Sequence, residues 1–130
     1  MGTIGEYITY HQITLKSTPT LGPNHPDGWG AGATHWSCKV SCHGRTATFD
    51  YHMGAAYKGQ PVLADLLDCL KLDASSAETE TFPDWAADMG LSDDSISALQ
   101  AFGECRRNAK KLKALVGVNN WQGLLGCEAL

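Results

Sequence analysis

His35, Cys38, Cys42 and His43 are the residue types that hold zinc, through imidazole nitrogen and thiolate sulfur. Their spacing argues against a shared ion. On one strand Cys38 and Cys42 lie roughly 13 Å apart, at about 3.3 Å per residue. That is too far for one metal or one disulfide. We read both as buried thiols behaving as small hydrophobes, and expect neither metal nor cofactor. Asp50 and His52, with the hydroxyls of Thr46 and Thr48, form a second candidate group, for proton transfer. A nucleophile on a sharp turn, an oxyanion site or a phosphate loop would have to accompany them, and no such motif can be read. The expectation is that this chain is not an enzyme.

The charged residues have a solvated face as their ordinary reading and binding as their functional one. Asp65, Asp68, Asp73, Glu78, Glu80, Asp84, Asp88, Asp93 and Asp94 form an acidic middle interrupted by one base, Lys71. Arg106, Arg107, Lys110, Lys111 and Lys113 follow with no acid among them. Asp84, Asp88, Asp93 and Asp94 suit a partner surface rich in arginine and lysine, which they would block by charge resemblance to nucleic acid. The basic cluster suits phosphate or an acidic protein. It has no helix-turn-helix, stacking platform or zinc finger beside it, which argues against sequence-specific DNA reading. Trp29, beside His25 and Asp27 in a glycine-proline segment, is the most suggestive single residue: it either tucks onto its own core or serves as an anchor in a partner's pocket. Trp36, Trp85 and Trp121 fall on or beside apolar stripes and read as core.

These residues need elements to hold them. Trp36, Cys38, Val40 and Cys42 alternate with polar residues, as do Ala47, Phe49 and Tyr51. A two-residue turn at His43-Gly44 would pair Cys42 with Arg45, Val40 with Ala47, Cys38 with Phe49 and Trp36 with Tyr51. That register gathers the large apolar side chains on one face of a hairpin over 35–52. Leu63, Leu66, Leu67 and Leu70 follow at helical spacing and are expected to cover it, with Pro61 in the helix's first turn and an end near Ala74. The β-prone residues of 7–15 predict a first strand, and 18–34 a long Gly/Pro-rich loop. Thr81 caps a short helix stopped by Gly90. Ser92 or Asp93 caps the longest helix, which ends at Gly117 and carries Ala98, Phe102, Cys105, Ala109, Leu112 and Val116 as its apolar stripe. Cys69 and Cys105 both read as core. Trp121, Leu124 and Leu125 predict a last short helix.

With 130 residues and 43% of them apolar, the chain can build a core without staples, and we expect one domain over 1–130. Its net charge of −4 is too mild for a protein whose whole surface imitates nucleic acid. Five scattered cysteines and no apolar leader predict reduced thiols in a cytoplasm, and no run is long enough to span a membrane.

The segments HWSCKVSCHGRTATFDYHMG, PVLADLLDCLKLDA and FPDWAADMGLSDDS, in that order, resemble a group of small uncharacterised proteins of phages, prophages and plasmids, over about residues 34 to 117. The resemblance implies no catalytic residues. It implies a setting, because small mobile-element proteins of this kind include inhibitors of host defence, anti-CRISPR proteins among them. The expectation is therefore an α+β fold, with about three antiparallel strands against three or four helices. Its function would be non-enzymatic inhibition of a host protein or ribonucleoprotein defence complex, CRISPR–Cas foremost, through Trp29, Asp84, Asp88, Asp93 and Asp94. The rival is a nucleic-acid-associated accessory protein using the basic cluster. An enzyme with an unreadable site comes third. Oligomeric state stays open.

Overall fold

The computed structural model describes residues 2–19, 34–53 and 60–128. In chain order it contains α1 (Ile4–His11), β1 (Thr14–Pro19), β2 (Thr34–Cys42), β3 (Arg45–Met53), α2 (Leu63–Thr79), α3 (Phe82–Asp88), α4 (Ile96–Val116) and α5 (Val118–Leu125). The architecture is α+β: among the described residues, one antiparallel sheet in the order β1-β2-β3 and five helices.

The hairpin adopts the register that the alternation predicts, with Cys42 opposite Arg45, Val40 opposite Ala47, Cys38 opposite Phe49 and Trp36 opposite Tyr51. His43 and Gly44 take φ values of 52° and 79°. Two successive positive φ values match the strands' right-handed twist, and glycine meets the second of them without strain. Cys38, Val40 and Phe49 are fully buried, in one cluster with Leu66, Leu67 and Leu70 of α2 and Leu112, Leu115 and Val116 of α4. The leucine helix does not cover the hairpin alone. The backbone of α4 makes the closer approach to β3 and β2, and α2 packs along α4.

The expected strand over 7–15 is instead a helix followed by a strand. Thr3 and Glu6 form a capping box: Thr3 Oγ1 accepts from Glu6 N–H at 3.1 Å, and Glu6 Oε1 accepts from Thr3 N–H at 3.1 Å. This satisfies two donors at the helix start. Ile4, Tyr7 and His11 then fall at helical spacing onto one buried face. That burial overrides the β propensity of Tyr7, Ile8, Thr9 and Tyr10. Gln12 leaves the helix with φ 52°, and Ile13 leads into β1.

Other boundaries move for equally local reasons. Pro61 precedes the N-cap Val62 and so lies just outside α2. The polar run at 75–80 does not end α2 near Ala74, because Ala77 is buried against Trp85, Ala86 and Phe102. Thr79 also returns its hydroxyl to the Ser75 carbonyl at 2.9 Å. α3 begins behind Thr81 as expected, and Gly90 follows it with φ 71°. α4 starts behind Ser95, whose Oγ accepts from Ala98 N–H at 3.2 Å. Asp93 and Asp94 therefore lie in the turn before the helix and not in its first turn.

Trp36, Trp85 and Trp121 are buried, as expected. Cys69 is exposed, against the expectation that it joins the core, and Cys105 is half-buried beside the second apolar cluster. Lys71 is buried within the acidic middle. Its ammonium donates to the Cys127 carbonyl and sits 3.9 Å from Asp68. Among the described residues no helix is long and apolar enough to cross a membrane.

Candidate binding surfaces

The four acids chosen from sequence lie on two successive segments, α3 and the turn that leads into α4 (the α3–α4 corner). Asp84 and Asp88 project from α3, Asp93 and Asp94 from the turn into α4, and all four are exposed. Glu80 joins them. Its carboxyl is held above the usual carboxylate range, first by a hydrogen bond with Asp88, then by desolvation and the charges of Asp88 and Asp84. Like charges gathered this closely favour a proton or a cationic partner between them.

Sequence reasoning missed the apolar part of this corner. Met89, Leu91, Ile96 and Leu99 are 53%, 44%, 75% and 54% exposed, within residues 89–99. Leu91 is turned back by its N–H, which donates to the Ala86 carbonyl at 2.7 Å. Ile96 and Leu99 sit three apart in α4, on a different side from the buried Ala98 and Phe102. The available signal was their position off the stripe Ala98–Phe102–Cys105. Apolar side chains that a helix leaves in water are a feature of contact surfaces when they cluster. Trp29, the expected anchor, lies outside the described residues.

The basic cluster does not form one free face. Arg107 pairs with Glu104 at 2.8 Å, and Lys113 pairs with Glu78 of α2. Arg106 lies over the Phe102 ring at 5.2 Å. Lys111 reaches the other way, donating to the Thr48 carbonyl at 2.9 Å and covering Phe49 at 5.5 Å. Lys110 is exposed and shares a hollow with Arg106 and Glu78. The five bases thus point to different neighbours: Lys113 ties α4 to α2, Lys111 ties it to β3, and Arg107 pairs within α4 itself.

Candidate chemistry elsewhere is poorly poised. Cys38 and Cys42 face the core on an unbroken strand. Burial pushes both thiols up, with Asp50 adding to the effect at Cys38 and Arg45 opposing it at Cys42. Burial also raises Cys69, and brings Cys105 up to about 11. A reactive cysteine needs the opposite shift. Asp50 is exposed on β3 opposite Ser37, and His52 stands opposite His35 in the register. Among the described residues no cluster of three or more metal-ligating side chains occurs.

A histidine pair was not anticipated from sequence. His11 Nδ1 and His43 Nε2 lie 3.0 Å apart, joining α1 to the hairpin turn. His11 is buried between the rings of Tyr7 and Tyr10, at centroid distances of 4.4 and 4.9 Å. Burial first, and His43 second, lower its pKa. The Thr3-x-x-Glu6 cap was the available signal, because helical spacing from it places His11 one turn after Tyr7.

Comparison with protein-family models, with curated protein sequences and with solved structures gives no match.

Proposed function

We propose that this chain is a non-enzymatic binding protein whose α3–α4 corner engages a basic protein surface. The observation that carries the reading is the coincidence of Asp84, Asp88, Asp93 and Asp94 with exposed Met89, Leu91, Ile96 and Leu99. Apolar side chains supply contact energy once desolvated, and the acids around them steer and select a cationic partner. The raised thiols and the absence of a readable catalytic constellation support binding over catalysis.

The target class follows from two considerations. Acids opposite arginines and lysines fit a surface that ordinarily holds nucleic acid. The mobile-element resemblance of residues 34 to 117 then makes a host defence complex, CRISPR–Cas foremost, the target we propose, met in the host cytoplasm. Trp29 remains part of this proposal as a second anchor.

The test is inhibition and binding with a purified Cas ribonucleoprotein, using the whole chain. Neutralising Asp84, Asp88, Asp93 and Asp94 to Asn should slow association and flatten its salt dependence. Ile96→Ser with Leu99→Ser should weaken binding by about tenfold or more, mainly through faster dissociation. Full binding by both variants would sink the corner. Salt-dependent binding of bare DNA, abolished by Arg106→Gln with Lys110→Gln, would instead favour the accessory-protein reading.

A further inference from the structure

Among the described residues the sheet ends at β3, and the outer side of that strand is built differently from the acidic corner. Cys42 and Arg45 close the two-residue turn as a hydrogen-bonded pair, so the alternation of an antiparallel ladder turns the main-chain groups of Thr46, Thr48 and Asp50 away from β2. All three residues are exposed. A groove of about 610 Å³ runs beside this edge, between β3 and α4, lined by Arg45, Thr46, Thr48, Lys111, Ala114 and Leu115. Its size is in the range of ligand sites.

Two cations flank the groove, and both are held by carbonyls. Arg45 Nε donates to the Leu115 carbonyl at 3.0 Å, and Lys111 Nζ donates to the Thr48 carbonyl at 2.9 Å. A carbonyl fixes a cation's position without cancelling its charge. Among the described residues neither one forms a carboxylate ion pair. Among the described residues the edge thus turns strand hydrogen-bonding groups outward, the Thr48 carbonyl already taken by Lys111, beside two preplaced positive charges.

We infer that the open edge of β3 is a docking site for an extended acidic peptide segment, which adds to the sheet as a fourth strand and places carboxylates on Arg45 and Lys111. Main-chain pairing to Thr46, Thr48 and Asp50 gives affinity in strand addition, and alternate side chains give specificity. The occupant is a polypeptide rather than a nucleic acid, because a strand edge is matched by a peptide backbone and not by a phosphate chain. An added strand also meets the liability of an exposed edge, which Lys111 limits at one carbonyl. This surface is separate from the α3–α4 corner, and its failure would leave the corner intact.

The experiment is selection of random eight-residue peptides on the folded whole chain, and in parallel on the Arg45→Gln/Lys111→Gln variant. The expected result is enrichment, on the wild type, of β-branched sequences with Asp or Glu at alternate positions. The enriched peptides should bind about tenfold or more weaker to the variant, shift the amide resonances of Thr46, Thr48 and Asp50, and lose binding when N-methylated at alternate amides. The N-methylated peptides are tested on the wild type, so that this arm does not depend on how well the variant folds. Equal binding by N-methylated and unmodified peptides overturns the proposal. So does the absence of any enriched acidic peptide, or a shift pattern that misses β3. A DNA oligonucleotide that occupies the groove, where the peptides do not, overturns it as well.

Discussion

At the residue scale, the histidine pair is the group most sensitive to solution conditions. A 3.0 Å nitrogen–nitrogen contact needs one ring to accept, so the pair tolerates one proton charge and not two. The pKa of His11 in the folded chain is lowered by burial and by His43. A histidine shifted down takes up protons more readily when unfolded, so its contribution to stability is complete above the unfolded value of about 6.5 and is lost as pH falls through the folded value. We expect the midpoint of urea unfolding to decrease between pH 7.5 and 5.5, and His11→Leu to flatten that dependence. A midpoint in the His11→Leu chain that still falls as steeply would place the titration elsewhere. Tyr7, on the same face, has its phenol pushed far up by burial, with Cys42 and Cys127 adding to the effect. It donates to the Asn120 carbonyl at 2.8 Å and remains protonated throughout that range.

At the scale of elements, the hairpin face is the part whose sequence and structure agree most closely. Phe49 is wholly buried, lies beneath Lys111 and stands opposite Cys38. Phe49→Ala should cost about 3–5 kcal/mol, measured as a lower denaturation midpoint at unchanged slope. A loss well under 1 kcal/mol would mean that the core side of the hairpin is elsewhere. The register was legible because it depends on period two and on one turn, both of them local. The first element was not legible on the same grounds. Its β-branched and aromatic residues signal a strand, whereas a cap spanning Thr3 to Glu6 and the buried face of Ile4, Tyr7 and His11 decide for helix. The extension of α2 past Ala74 has a similar origin, since Ala77 gains a core only through α3 and α4.

At the scale of the whole molecule, two apolar clusters have unequal weight. The larger joins the sheet to α1, α2, α4 and α5, while the smaller holds α3 through Ala77, Trp85, Ala86 and Phe102. α3 has seven residues and is held through Trp85, whose ring packs tilted against that of Phe102 at 5.3 Å. Trp85→Ala should therefore release α3 locally. Hydrogen exchange in Phe82–Asp88 should rise roughly tenfold or more, with β2 and β3 amides little changed. Uniform acceleration across the chain would show that both clusters unfold as one unit. The acidic corner rides on this smaller cluster, so the same variant is expected to weaken partner binding.

What could be determined from sequence is whatever depends on neighbours along the chain: the hairpin register, the Thr81 cap, the ends at Gly90 and Gly117, and the core tryptophans at 36, 85 and 121. These follow from periodicity, turn chemistry and capping, which act over a few residues. Tertiary structure decided which charges are free and which are held. Lys71 is drawn inside by the carbonyl of Cys127, 56 residues away, and Lys113 is tied to Glu78, 35 away. Arg45 is aligned by Leu115 at a separation of 70 residues, and His11 meets His43 across 32. A run of like charges looks uniform in sequence because charge type is local, whereas its partners are set by packing. The apolar residues of the α3–α4 corner became visible for the same reason, since only the fold shows which side chains nothing covers.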